Sequence, residues 1–211
     1  MIEWSRGKER VLLAGWLLAA WSPLTYGLAA YVGQSTMMMA DLLRRTIELV
    51  ALFLAWYIYH KARKQAVSPA VYQAWETTAN LAIAVVMLVS VAIILLQAYR
   101  RLLMPGELGA LHWGILLGFL GVIVNGWFWG RHARYAAESY SAMSESQYRL
   151  FRSKTLLDGY VVLSLSTATF VRQWPWGVYV DPLGSLVPAL VVVISAVQIL
   201  RLHLGATRAS G

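Results

Sequence analysis

The sequence predicts an all-α integral membrane protein: six transmembrane helices in one bundle, with both termini in the cytoplasm. Three observations carry that prediction. Apolar runs of spanning length recur six times, charged residues make up only 13% of the chain against about 25% in soluble domains, and the basic residues gather in alternate connections.

The 211 residues are 59% hydrophobic, and the ten tryptophans and eleven tyrosines suit aromatic belts at the two bilayer surfaces. Cysteine is absent, which excludes disulfides and thiolate metal sites. A net charge of +8 would fit a nucleic-acid partner, but the basic residues are scattered between apolar runs. The expected surroundings are instead the lipid bilayer of a bacterial inner (plasma) membrane.

The segments run over 11–32, 36–59, 77–99, 110–130, 155–171 and 183–200, each near the ~20 residues that cross ~30 Å of hydrocarbon. The first is preceded by Arg6, Lys8 and Arg10, as a signal peptide would be. Its apolar run exceeds the roughly 7–15 residues of a signal core and no convincing cleavage site follows, so it is read as a retained helix. The fifth is the shortest, and extending it back through Lys154 toward Tyr148 would lengthen it. Pro23 and Pro188 are expected to kink the first and sixth, which neighbouring helices tolerate in a membrane. Residues 1–10 then form a cytoplasmic segment, 11–203 the transmembrane domain and 204–211 a short cytoplasmic tail, with no room for a cytoplasmic metal-binding domain.

Of the eighteen basic residues, twelve fall in inner loops and tails, including Lys61, Arg63, Lys64, Arg131 and Arg152. Three, Arg100, Arg101 and Arg172, fall in outer loops, and that bias sets the orientation. The other three, Arg44, Arg45 and Lys154, lie inside or at the edge of membrane segments.

The stretch TMMMADLLRRTIELVALF, residues 36–53, places Asp41, Arg44, Arg45 and Glu48 at spacings of three and four, on one helix face. Each charge alone would cost ~2.5–3.5 kcal/mol at the membrane centre, so they must be paired. The simplest pairing is local: Asp41 with Arg45 and Arg44 with Glu48, each at i,i+4. Met37, Met38 and Met39 are soft donors, but three consecutive residues point in different helix directions and are read as packing.

Several stretches together resemble the cation diffusion facilitator (cation efflux) family. GQSTMMMAD resembles the start of the family's second helix, LLQAYRRLLMPGEL the end of its third, GVIVNGWFWGRHAR its fourth and DPLGSLVPALVVVISAVQILR its sixth. Order and spacing agree over about residues 10–203. The resemblance implies a six-helix bundle that exchanges Zn²⁺ or a related divalent ion for protons, commonly as a homodimer. Its transport site is a His- or Asp-x-x-x-Asp pair on the second helix and another on the fifth.

Setting Ser35 and Asp41 on the family pattern puts Arg44 and Glu48 at the second-helix ligand positions. Counting back from Asp181-Pro182 puts Lys154 and Asp158 at the others, while a register shifted by four would put Leu150 and Lys154 there. The first register is preferred because it aligns Arg149 with a commonly basic family position. At each pair a cation then replaces the first ligand and a carboxylate remains as the second. Arginine offers five donors and no lone pair, and lysine beside two carboxylates stays protonated. The reading is therefore a neutral charge quartet, Arg44, Glu48, Lys154 and Asp158, with Asp41, Arg45, Glu76 and Asp181 supporting it. No bound metal is expected; if one binds, Glu48 and Asp158 are the residues to hold it.

The family's Gly-His-x-x-x-Glu motif at the third helix is represented here by Val71 to Glu76, with only the acid kept. His60, His112, His132 and His203 lie at helix ends or in the tail, without a carboxylate or histidine at metal-ligand spacing, and are read as interfacial. No hydrolase triad, phosphate-binding glycine loop or His-Glu-x-x-His motif marks an enzyme. Two functions stay open: a transporter moving a cation or protons through an altered site, distinct from standard Zn²⁺ export, or a transport-inactive scaffold or regulatory subunit. The first is expected as a homodimer, the second paired with a complete family member.

Overall fold

A computed structural model of the chain describes residues 9–10, 13, 16–17, 19–138 and 142–209, and all regular structure there is helical. The helices are α1 (Trp21–Gly33), α2 (Thr36–Gln65), α3 (Pro69–Leu103), α4 (His112–Glu138), α5 (Ala142–Phe170), the short α6 (Val180–Gly184) and α7 (Leu186–Ala209), with a 3₁₀ turn at Gly177–Tyr179. Arg6 and Lys8 lie outside the described residues, as do the side chains of His132, Arg134, Arg149, Leu150, His203 and Arg208.

Among the described residues three helical stretches are long and apolar enough to cross a membrane: Pro69–Leu103, His112–Arg131 and Gly177–Arg201. They coincide with the third, fourth and sixth segments of the sequence. α2 has the length but carries four charges within eight residues, and α5 begins with the polar stretch from Ala142 to Lys154. The backward extension expected for the fifth segment is present, since α5 is helical from Ala142.

The kinks expected at Pro23 and Pro188 take the form of breaks. Each proline stands third in its helix, α1 or α7, where the missing N–H has no intrahelical acceptor to lose. The interruptions fall just before them, at Ala20 and Ser185. α2 ends on Ala66 at φ 46°, with the Val67 N–H returning to the Ala62 carbonyl at 3.2 Å. That is the reversal glycine usually serves.

The chain forms two compact units. The first comprises Met1–Thr25, Ala40–Leu96 and Leu186–Gly211. Its core is aliphatic: Ile47 of α2, Ile83 and Val91 of α3 and Val192 of α7, with Leu54, Met87 and Val193 packed around them. A smaller cluster joins Ala40, Ile94 and Ala189, whose small side chains let the backbones approach. Along α2, Phe53, Trp56 and Tyr57 form an aromatic row against Trp16, and His60 stacks on Trp56.

The second unit comprises Tyr26–Met39 and Gln97–Ser185. Within it α4 packs along α5 through a stripe of glycines. A Cβ at Gly118 would come within 2.8 Å of the Val162 side chain, and one at Gly114 equally close to Leu165. The chain before α4 is held to the end of α1 by backbone pairing, Gly109 N–H to Gly33 O at 2.9 Å and Ala110 N–H to Val32 O at 3.3 Å. Only glycine fits at 109, because a Cβ there would sit 2.1 Å from the Val32 carbonyl oxygen.

Asp181 organises the start of α2 in this unit. Its buried carboxylate accepts from the Ser35 hydroxyl, from the Thr36 N–H at 2.7 Å and from the Met37 N–H at 3.4 Å. Ser35 Oγ in turn accepts the Met38 N–H at 3.1 Å, so side chains satisfy donors that a helix start leaves orphaned. The anion also complements the helix dipole. Asp181→Ala leaves the Thr36 N–H buried without its acceptor and is expected to cost about 1–3 kcal/mol. Thermal unfolding in detergent, compared with the unmodified protein, measures this; an unchanged midpoint would show that the cap contributes nothing.

Candidate functional site

The charged face of α2 condenses around Asp41. At spacings of three and four the side chains stack on one helix face, and the carboxylate, fully buried, accepts from both arginines. Arg44 donates Nε and Nη2 to Oδ1, at 2.9 and 2.7 Å. Arg45 donates Nε to Oδ2 at 2.8 Å and Nη1 to the Ser22 hydroxyl at 3.2 Å. The remaining edge of Arg44 reaches on to Glu48, with Nη1 to Oε1 at 3.0 Å. Both local pairs, the alternative the sequence left open beside the quartet, form, and the Asp41–Arg44 bond links them into one network.

The network has a direction of burial. Asp41 is inaccessible, Arg44 is 7% exposed, and Glu48 retains 34% of its exposure. Two cations and two carboxylates cancel, so the face is neutral without a bound ion. Asp41 is held by charge-assisted bonds to each of its oxygens, the strong kind at short range. Chemically, the Arg44 guanidinium offers donors and no lone pair, so it cannot ligate a metal.

The fifth-helix positions lie in the second unit. Asp158 on α5 is fully buried, and its Oδ2 accepts from Asn125 Nδ2 of α4 at 2.7 Å. Gly121, one turn earlier on α4, makes room for that carboxylate: a Cβ there would come within 2.5 Å of Oδ2. Lys154 stands one turn before Asp158, half-buried. Neither Asn125 nor Gly121 has an assigned role from the sequence; a lone polar residue in the apolar run GVIVNGW is the available signal.

The other supporting residues fall elsewhere. Glu76 is exposed on α3 and accepts from the Tyr72 hydroxyl at 2.6 Å, while Asp181 caps α2 as described. His60 has a carboxylate partner after all: it donates to Glu9, whose second oxygen lies 2.6 Å from Arg63 Nη2. The His60 hydrogen bond, with Arg63 beside it, holds the Glu9 carboxyl below the usual carboxylate range. Among the described residues, no three histidine, aspartate or glutamate side chains gather as a metal-binding group.

Among the described residues all regular structure is helical and three stretches are long and apolar enough to cross a membrane, the architecture of an integral membrane protein. The chain belongs to the cation efflux family, since the family's transmembrane domain matches residues 12–204. Members of this family are membrane transporters rather than enzymes. No curated protein matches the sequence.

Proposed function

We propose that this protein is a cation diffusion facilitator-type transporter in which side-chain charges replace the metal site, so that it is not a standard Zn²⁺ exporter. Arg44 and Lys154 take the places of two ligands, and Glu48 on α2 and Asp158 on α5 supply the counter-charges. Six transmembrane helices with cytoplasmic termini, a homodimeric assembly and protons or another cation as the moving species complete the reading.

The observation that carries it is the seating of Arg44. Its guanidinium is bound on one edge by Asp41 and on another by Glu48, and Arg44 is the residue that the sequence register sets at the first ligand position. A zinc ion there needs three or four N, O or S ligands. The burial of Asp158, with one oxygen accepting from Asn125, supports a specialised role for that carboxylate.

A second reading is a transport-inactive scaffold or regulatory subunit that pairs with a complete family member. The placement of Glu76 favours it, because the surviving acid of the third-helix motif is exposed and engaged by Tyr72.

Zn²⁺ uptake into proteoliposomes tests the shared claim. The unmodified protein is expected to show no uptake above empty vesicles. Saturable uptake that Asp158→Ala abolishes would show a working zinc site and reject both readings.

A further inference from the structure

At the C-terminal end of α3 a cavity of about 620 Å³ is lined by Gln97, Arg100, Arg101, Leu103 and Met104. That volume lies within the ~300–1,000 Å³ of small-ligand pockets. Among the described residues no carboxylate lines it. Glu107, the nearest acid in the sequence, lines a separate cavity of about 240 Å³ with Arg172.

The two arginines are in different states. Arg101 is fixed: it donates to the Gln34 carbonyl, and its Nη1 lies against Gly106, where a Cβ would be 2.8 Å away. The Arg100 side chain is exposed and has no hydrogen-bond or ion-pair partner among the described residues. Complementing the helix dipole needs no more than one such cation and explains neither the cavity nor its apolar rim. That rim is formed by Leu103 and Met104, 64% and 83% exposed, at the end of the most apolar of the three membrane-spanning stretches. Cations and exposed apolar side chains at a membrane boundary match a ligand with a phosphate and an acyl chain. The guanidinium fork fits phosphate oxygens.

We propose that this cavity binds the phosphate of an anionic phospholipid, with Arg100 as the principal contact, Arg101 as a fixed second charge and Leu103 and Met104 against the acyl chain. The site is separate from the charged face of α2 and does not depend on what the protein transports.

Native mass spectrometry of the full chain, released from mixed phosphatidylglycerol and phosphatidylcholine bilayers, tests it. The unmodified protein is expected to retain phosphatidylglycerol preferentially. Arg100→Gln should reduce that preference about five- to tenfold, and Arg100→Lys, which keeps the charge, should retain most of it. Excess inorganic phosphate should not displace the bound lipid. Full displacement by inorganic phosphate would make a free anion the ligand and overturn the lipid assignment. Equal retention of the two lipids by the unmodified protein, or unchanged preference in Arg100→Gln, would overturn the site.

Discussion

Asp41→Asn is expected to destabilise the protein by about 3–5 kcal/mol, the cost of breaking a buried ion pair by removing one partner. Asp41 is inaccessible and neutralises two arginines that are themselves 7% and 13% exposed. The amide would turn either its own N–H or a single weak acceptor toward two guanidinium groups, leaving a net positive charge inside the helix face. Serine and glutamate partners remain for Arg45 and Arg44, but neither replaces the lost carboxylate. At roughly 2–4 °C per kcal/mol for a chain of this size, the unfolding midpoint in detergent should fall by about 10 °C. Asp41→Asn combined with Arg45→Gln restores charge balance and should recover part of the loss, which a double-mutant cycle reads directly. A shift too small to measure in Asp41→Asn would mean that water already solvates this face.

Replacing Arg44 by Asp and Lys154 by His together should create Zn²⁺ affinity that the unmodified protein is expected to lack. On the proposed quartet the double substitution presents four lone-pair donors from two i,i+4 pairs, the ligand number that tetrahedral zinc takes. Either single substitution leaves unequal charges buried and should cost about 3–5 kcal/mol. The double variant also removes the two bonds of Arg44 to Asp41, so Arg45 becomes the sole α2 counter-charge for that carboxylate. Isothermal titration of all four forms in detergent checks the outcome: binding in the double variant, at least about a hundredfold tighter than in the unmodified chain. Tight stoichiometric binding by the unmodified protein would invert the interpretation, and a double variant that folds yet binds no zinc would reject the quartet's geometry.

The sequence by itself determined the all-helical class, the apolar runs of the third, fourth and sixth segments, and the i,i+4 spacing that lets the α2 charges pair locally. These depend on residues three or four apart, where helix geometry alone brings side chains together. The extension of α5 back through Lys154 was legible for the same reason, as were the breaks near Pro23 and Pro188, though their form was not. Spacing could show that Asp41 and Arg45 face one another, but not that Asp41 would hold both arginines while fully buried. What only the tertiary structure decided are the long-range partners. Asp181 caps a helix that begins 145 residues earlier, Asn125 holds Asp158 across 33, and Glu9 meets His60 across 51. No local periodicity encodes such pairs. They form because burial strips these polar groups of water and only a hydrogen-bonding partner brought in by packing can take its place.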